Sequence, residues 1–158
     1  MNNSGINIVS AENKDDIESA RQLFLEYAES LNFDLCFQGF DEELKNLPGD
    51  YSSPKGELLL AYSNGKLAGC VALHKFENDI CEMKRLFLRS EFRGQGIGRQ
   101  LTVRVIDDAK KIGYKKMRLD TLPAMKEAIK LYKNLGFKEI IPYRYNSIEG
   151  VCYMELEL

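Results

Sequence analysis

Apolar residues return along the chain with two different periods, and the switches between them mark out strands and helices. Ile6 to Val9 is a short apolar run after a polar start and reads as a first strand. From Asn13 the spacing changes. Ile17, Ala20, Phe24, Tyr27, Ala28 and Leu31 recur at helical intervals, with Asn13 placed to cap and Asp15 and Asp16 set against the positive end of the helix dipole. Glu57 to Tyr62 and Lys66 to Lys75 are apolar runs joined by Ser63-Asn64-Gly65, and Asn-Gly between such runs predicts a hairpin. A turn at Glu77-Asn78-Asp79 leads into a strand from Ile80 to Leu88, so three consecutive antiparallel strands are expected.

Leu101, Val105, Ile106, Ala109 and Ile112 then mark one face of a helix that Lys110 and Lys111 complement and Gly113 ends. Lys116 to Asp120 alternates as a strand. Pro123 suits the first turn of a further helix, with Ala128, Leu131, Tyr132 and Leu135 inward and Gly136 as its stop. Phe137 to Ile141 and Val151 to Leu158 are the last two strands, expected as a hairpin across Pro142 to Gly150. The stretch from Leu31 to Tyr51 is less regular: a short helix from about Asp41 to Leu47 is stopped by Pro48-Gly49. Its Phe33, Phe37 and Phe40 beside Asp34, Asp41, Glu42 and Glu43 are either satellite core with a solvated acidic face or the wall of a pocket for a cationic amine.

Composition narrows the class. With 158 residues, 44% hydrophobic and 29% charged, the chain has the length and make-up of one globular domain. A net charge of -2 argues against general nucleic-acid affinity, which needs a basic excess on some face. Cys36, Cys70, Cys81 and Cys152 are widely spaced among apolar neighbours and read as small buried hydrophobes in a reducing cytosol. His74 is the single histidine, so no metal site is expected. No apolar run is long enough to span a bilayer and none resembles a signal h-region; the expectation is a cytoplasmic protein without a membrane partner.

The chemistry concentrates in Cys81 to Lys111, where a strand passes through a glycine-rich turn into a helix. Gly94, Gly96 and Gly98 strip side chains from that turn, so successive backbone N–H groups can approach a ligand at the positive end of a helix. Arg93 and Arg99 add two fixed charges suited to phosphate oxygens. Spacing excludes two familiar phosphate loops: Gly94-x-Gly96-x-Gly98 lacks the Gly-x-Gly-x-x-Gly order of dinucleotide folds, and no Gly-Lys-Ser/Thr follows.

Arg93-x-x-Gly96-x-Gly98 resembles the acyl-CoA loop of the GCN5-related N-acetyltransferase (GNAT) superfamily. Ala128-Ile129-Lys130-Leu131-Tyr132-Lys133-Asn134-Leu135-Gly136-Phe137 is similar to a second segment of that family, Ala-x-x-Leu-Tyr-x-x-x-Gly-Phe. The resemblance implies one α/β (α+β) domain over residues 6–158, with a mixed, mostly antiparallel sheet of about seven strands flanked by about four helices. It implies acetyl-CoA as donor: Leu86, Phe87 and Leu88 would pair with the pantetheine arm, and Arg93, Gly94, Gln95, Gly96, Ile97, Gly98 and Arg99 would hold the pyrophosphate. Tyr132 stands where many members protonate the departing thiolate, and a phenol holds that proton at neutral pH. Glu82 stands where many keep a carboxylate that deprotonates the acceptor. Strand alternation would put Glu82 on one face with Lys84, Leu86 and Leu88, which leaves a plain surface contact between Glu82 and Lys84 open. Where many relatives carry asparagine this chain has Met125, with Thr121 as a weak substitute. The expected acceptor is a primary amine attacked in a ternary complex, and Phe33, Phe37 and Phe40 with the nearby acids favour the amine of a small molecule. A peptide or protein acceptor, or a CoA-binding module without catalysis, remain the alternatives, and both monomer and homodimer occur among relatives.

Overall fold

The computed structural model describes residues 5–31, 39–145 and 148–158. Its elements follow the order β1 (Ile6–Ser10), α1 (Lys14–Ser30), α2 (Phe40–Lys45), β2 (Glu57–Ser63), β3 (Lys66–Glu77), β4 (Ile80–Leu88), α3 (Ile97–Ile112), β5 (Lys116–Thr121), α4 (Lys126–Asn134), β6 (Lys138–Ile140) and β7 (Cys152–Glu157). Local chemistry set most of these bounds. Asn13 caps α1 by accepting from the Asp16 N–H at 2.8 Å. Asn64 and Gly65 both take positive φ, 50° and 81°, as the tight turn between β2 and β3 requires. Gly113 ends α3 in the left-handed region at φ 113°. Two expectations shift: α4 begins at Lys126 rather than around Pro123, and short 3₁₀ turns at Gly49–Tyr51 and Ser90–Phe92 had no periodic signal.

The strands form one seven-stranded sheet in the order β1-β2-β3-β4-β5-β7-β6, with β4 and β5 parallel and the other neighbours antiparallel. The expected hairpin of the last two strands is present, and β7 lies between β5 and β6. Two cores sandwich this sheet. One joins Ile97, Leu101, Val105 and Ala109 of α3 and Tyr132 of α4 to Leu59, Val71, Met83, Met117 and Met154. The other joins Ala20, Leu23 and Phe24 of α1 and Phe40 of α2 to Leu58, Leu60, Cys70 and Ala72.

Two irregularities in β4 create the site. Cys70 pairs with Phe87 but Ala72 pairs with Lys84, so two steps along β3 face three along β4, and Arg85 takes up the extra residue at φ 62°. The bulge reverses the alternation. Leu86 and Leu88 pack into the α3 core, whereas Glu82 and Lys84 face the α1–α2 side, so the single face expected for all four residues is broken at Arg85. Gly69 accommodates the bulge: a Cβ there would lie 2.4 Å from the Phe87 carbonyl oxygen. The second irregularity is a splay. β4 pairs with β5 at Ile80, Cys81 and Glu82 and no further, while β5 continues to Thr121 against β7. From Met83 onward one edge of β4 therefore borders a gap in the sheet.

Candidate active site

The segment expected to hold the donor begins at the free edge of β4 and runs into the glycine turn. Phe92 and Ile97 are buried and pin the turn at both ends, while Arg93 through Gly96 are exposed between them. Gly94 and Gly96 sit at φ 78° and 82°, and a Cβ on either would meet nothing within 4 Å. Glycine is thus required there by backbone conformation and by open approach, and not by packing. Among the described residues, no internal hydrogen bond takes the N–H groups of Gly94 to Arg99, which include the orphan donors of the first turn of α3. A row of free donors at a helix start fits an anionic pyrophosphate. The Arg93 side chain folds back, donating from Nε to the Leu88 carbonyl at 3.0 Å and lying 5.9 Å from the Phe87 ring centre. Gln95 donates to the Glu91 carbonyl, Arg99 is exposed, and Gly98 lies within the helix, so these residues and Ile97 offer the ligand mainly backbone.

Tyr132 is buried on α4 with its ring 5.6 Å from that of Phe137. Its hydroxyl has no hydrogen-bond partner among the described residues. Burial, with the nearby Tyr27 and Asp120, pushes its pKa well above the ordinary phenol range, so it keeps its proton. Beside it, Thr121 donates to the sulfur of Met125 at 3.6 Å, so the hydroxyl weighed as a substitute for asparagine is engaged within the chain.

A second cluster is built around Glu82, which is fully buried rather than a surface neighbour of Lys84. Its carboxylate accepts from His74 Nε2 at 2.8 Å, from the Tyr143 hydroxyl at 2.7 Å and from Arg144 Nη2 at 2.9 Å, and it is ion-paired with Arg144 Nη1 at 2.7 Å. Burial alone would raise its pKa; the hydrogen bonds from His74 and Arg144 and the charges of Lys84 and Arg144 outweigh it and hold the carboxyl far below the usual range. Arg144 also reaches Asp120 at 3.3 Å and lies 5.0 Å from the Tyr143 ring centre. A pocket of about 390 Å³ opens over this cluster, lined by α2, the 3₁₀ turn at Gly49–Tyr51, His74, Glu82, Lys84 and Arg144.

The aromatic and acidic residues expected to enclose a cationic amine divide differently. The Glu43 carboxylate receives two parallel hydrogen bonds from Arg85 at 2.9 and 2.8 Å, and the Arg85 guanidinium lies 5.3 Å from the Phe40 ring centre. These groups brace the bulge of β4, and Glu43 also lines the pocket. Phe33, Asp34, Cys36 and Phe37 lie outside the described residues. Cys70 and Cys81 are buried and Cys152 half-buried, all as free thiols. Burial pushes the Cys81 thiol up to about 12 and raises Cys70 and Cys152 as well, so none is a ready nucleophile.

Residues 17–137 match the acetyltransferase (GNAT) family. The chain belongs to this family. It is 41% identical over 160 residues to an uncharacterized N-acetyltransferase of Schizosaccharomyces pombe, covering 100% of this chain and 98% of that one. The GNAT fold is shared with a GNAT-family acetyltransferase of Staphylococcus aureus, with TM-score 0.79 and 23% identity over 96% of this chain and 98% of that chain. It is shared too with the acetyltransferase yncA of Salmonella typhimurium, whose structure holds acetyl-CoA: TM-score 0.70 and 18% identity over 98% and 94% of the two chains. In this GNAT chain the residues that sequence reasoning missed are His74, Tyr143, Arg144 and Asp120. His74 stands directly opposite Glu82 in the β3–β4 register, so a cross-strand pairing argument would have found it. Nothing local marks Tyr143 and Arg144, which arrive from a loop.

Proposed function

We propose that this protein transfers the acetyl group of acetyl-CoA to the primary amine of a small molecule by direct attack in a ternary complex. The observation that carries the choice of acceptor is the pocket of about 390 Å³ over Glu82, a bounded recess of small-ligand size beside the free edge of β4. In this reading the N–H groups of Gly94 to Arg99 hold the pyrophosphate, and the backbone of Leu86, Phe87 and Leu88 lines the pantetheine arm. A backbone N–H near Phe87 or Leu88 polarises the thioester carbonyl. Acetyl-CoA supplies the activated acyl group, and this chain moves the protons.

The saturation of Glu82 shapes the proton-accepting role. A carboxylate already taking three hydrogen bonds and a further ion-pair contact, and held far below its usual pKa, is a weak direct base. It instead fixes His74, receiving Nε2–H and leaving Nδ1 with a lone pair. His74 Nδ1 takes the amine proton as the new C–N bond forms. The electron pair of the breaking C–S bond stays on sulfur and takes the Tyr132 proton, and the proton gained by His74 returns through solvent to restore the phenol.

The test is an acceptor screen that follows CoA release from acetyl-CoA, with polyamines, aminoglycosides, amino acids and peptides. Release with small amines is expected. Release with peptides alone would transfer the reading to a protein acetylase, and release with no amine would leave a CoA-binding module.

A further inference from the structure

Lys84 stands apart from the other ionic groups around the pocket. It projects from β4 two residues after Glu82, is half-buried on the pocket wall, and makes no hydrogen bond or ion pair with any described residue. The neighbouring carboxylates are already engaged: Glu82 with His74, Tyr143 and Arg144, Glu43 with Arg85, and Asp120 with Arg144. Glu42 and Asp50 line the same pocket but are exposed at its mouth. A cation withdrawn from water costs free energy unless something pairs with it. Burial, followed by the charges of Arg85 and Arg144, pulls the Lys84 pKa down against the opposing charges of Glu82 and Asp120, neither of which contacts it directly. The half-exposed guanidinium of Arg144 lines the same wall and offers further donors.

We propose that the acceptor amine carries a carboxylate and that Lys84, with Arg144 beside it, binds that carboxylate in the pocket; the substrate class is an amino acid or a similar amino-carboxylic acid. The inference rests on the small-molecule reading above and narrows it. Lys84 lies one residue before the Arg85 bulge and two before Leu86, so an amine held by its carboxylate on Lys84 lies close to the strand edge assigned to the thioester. An acceptor lacking that anion would leave the cation unpaired and bind more weakly.

The experiment compares matched acceptors, such as an amino acid and its carboxamide, by CoA release with the intact protein. The carboxamide's amine is less basic and more often deprotonated at neutral pH, so any preference for the acid runs against intrinsic reactivity. Wild type is expected to use the acid with kcat/KM at least tenfold higher. Lys84→Met should bring the ratio close to one by raising KM for the acid alone, and Lys84→Arg should restore it. Acetyl-CoA binding by each variant shows that it is folded, and the wild-type ratio stands whether or not a variant folds. Equal use of acid and carboxamide would overturn the proposal and leave the small-amine reading intact. Transfer to peptides alone would overturn both. A Lys84→Met variant that loses kcat equally on both acceptors, with a displaced pH–rate profile, would make Lys84 a proton acceptor and not a carboxylate site.

Discussion

The two halves of the site are built by opposite means. The donor half is one continuous segment, Leu86 to Arg99, whose key groups are backbone donors left unpaired by a turn and a helix start. The proposed acceptor half is assembled from α2, β3, β4, β5 and the Tyr143-Arg144 pair, and its key groups are side chains that satisfy one another. Unpaired donors suit a ligand that every member of a family shares. A mutually paired cluster can be redrawn one side chain at a time, which suits the half that selects the acceptor.

Substitutions separate these halves, and the largest effect is expected at His74. His74→Asn should lower kcat roughly a hundredfold, the scale of a lost general base, with little change in acetyl-CoA affinity. Unchanged kcat would return the proton to Glu82 or water. Tyr132→Phe should lower kcat roughly tenfold or more by removing the proton donor, while acetyl-CoA affinity measured by calorimetry stays constant. A change confined to affinity would make Tyr132 a packing residue.

Gly96→Ala tests the donor half alone. A left-handed backbone costs an alanine about 1–2 kcal/mol, and the added methyl faces the space through which a ligand approaches. Acetyl-CoA should bind roughly tenfold more weakly by the 1.4 kcal/mol rule, with acceptor KM unaltered. The last effect concerns stability and not activity. Glu82 has a depressed pKa in the folded state, so its contribution is complete above the unfolded value and falls away as pH drops below about 4.3. Denaturant titration should find wild type about 2 kcal/mol more stable than Glu82→Gln at neutral pH, with the difference shrinking as pH falls below that point. A pH-independent difference would mean that Glu82 contributes by shape and not by charge.

Legibility followed the same division. The cap at Asn13, the Asn64-Gly65 turn and the stop at Gly113 were readable because each is a local solution to backbone conformation. The facing of β4 was not, because strand alternation holds only while the register is unbroken and Arg85 breaks it. Phe40 and Glu43 had the composition of an amine pocket yet pair with Arg85, a partner 42 residues away from Glu43. Tyr143 and Arg144 sit in a stretch with no periodicity, and their roles depend on where the loop lands.

The sequence by itself determined the strand and helix order, the glycine turn and the tyrosine helix, and through them the family and its donor. These are local patterns of period, spacing and φ, which a chain carries wherever it folds. Only the tertiary structure decided which side chains meet Glu82, which charges are consumed internally, and that Lys84 is left lining the pocket without a hydrogen bond or ion pair among the described residues. Pairing among charges depends on distance and burial in three dimensions, and neither is written in the order of residues.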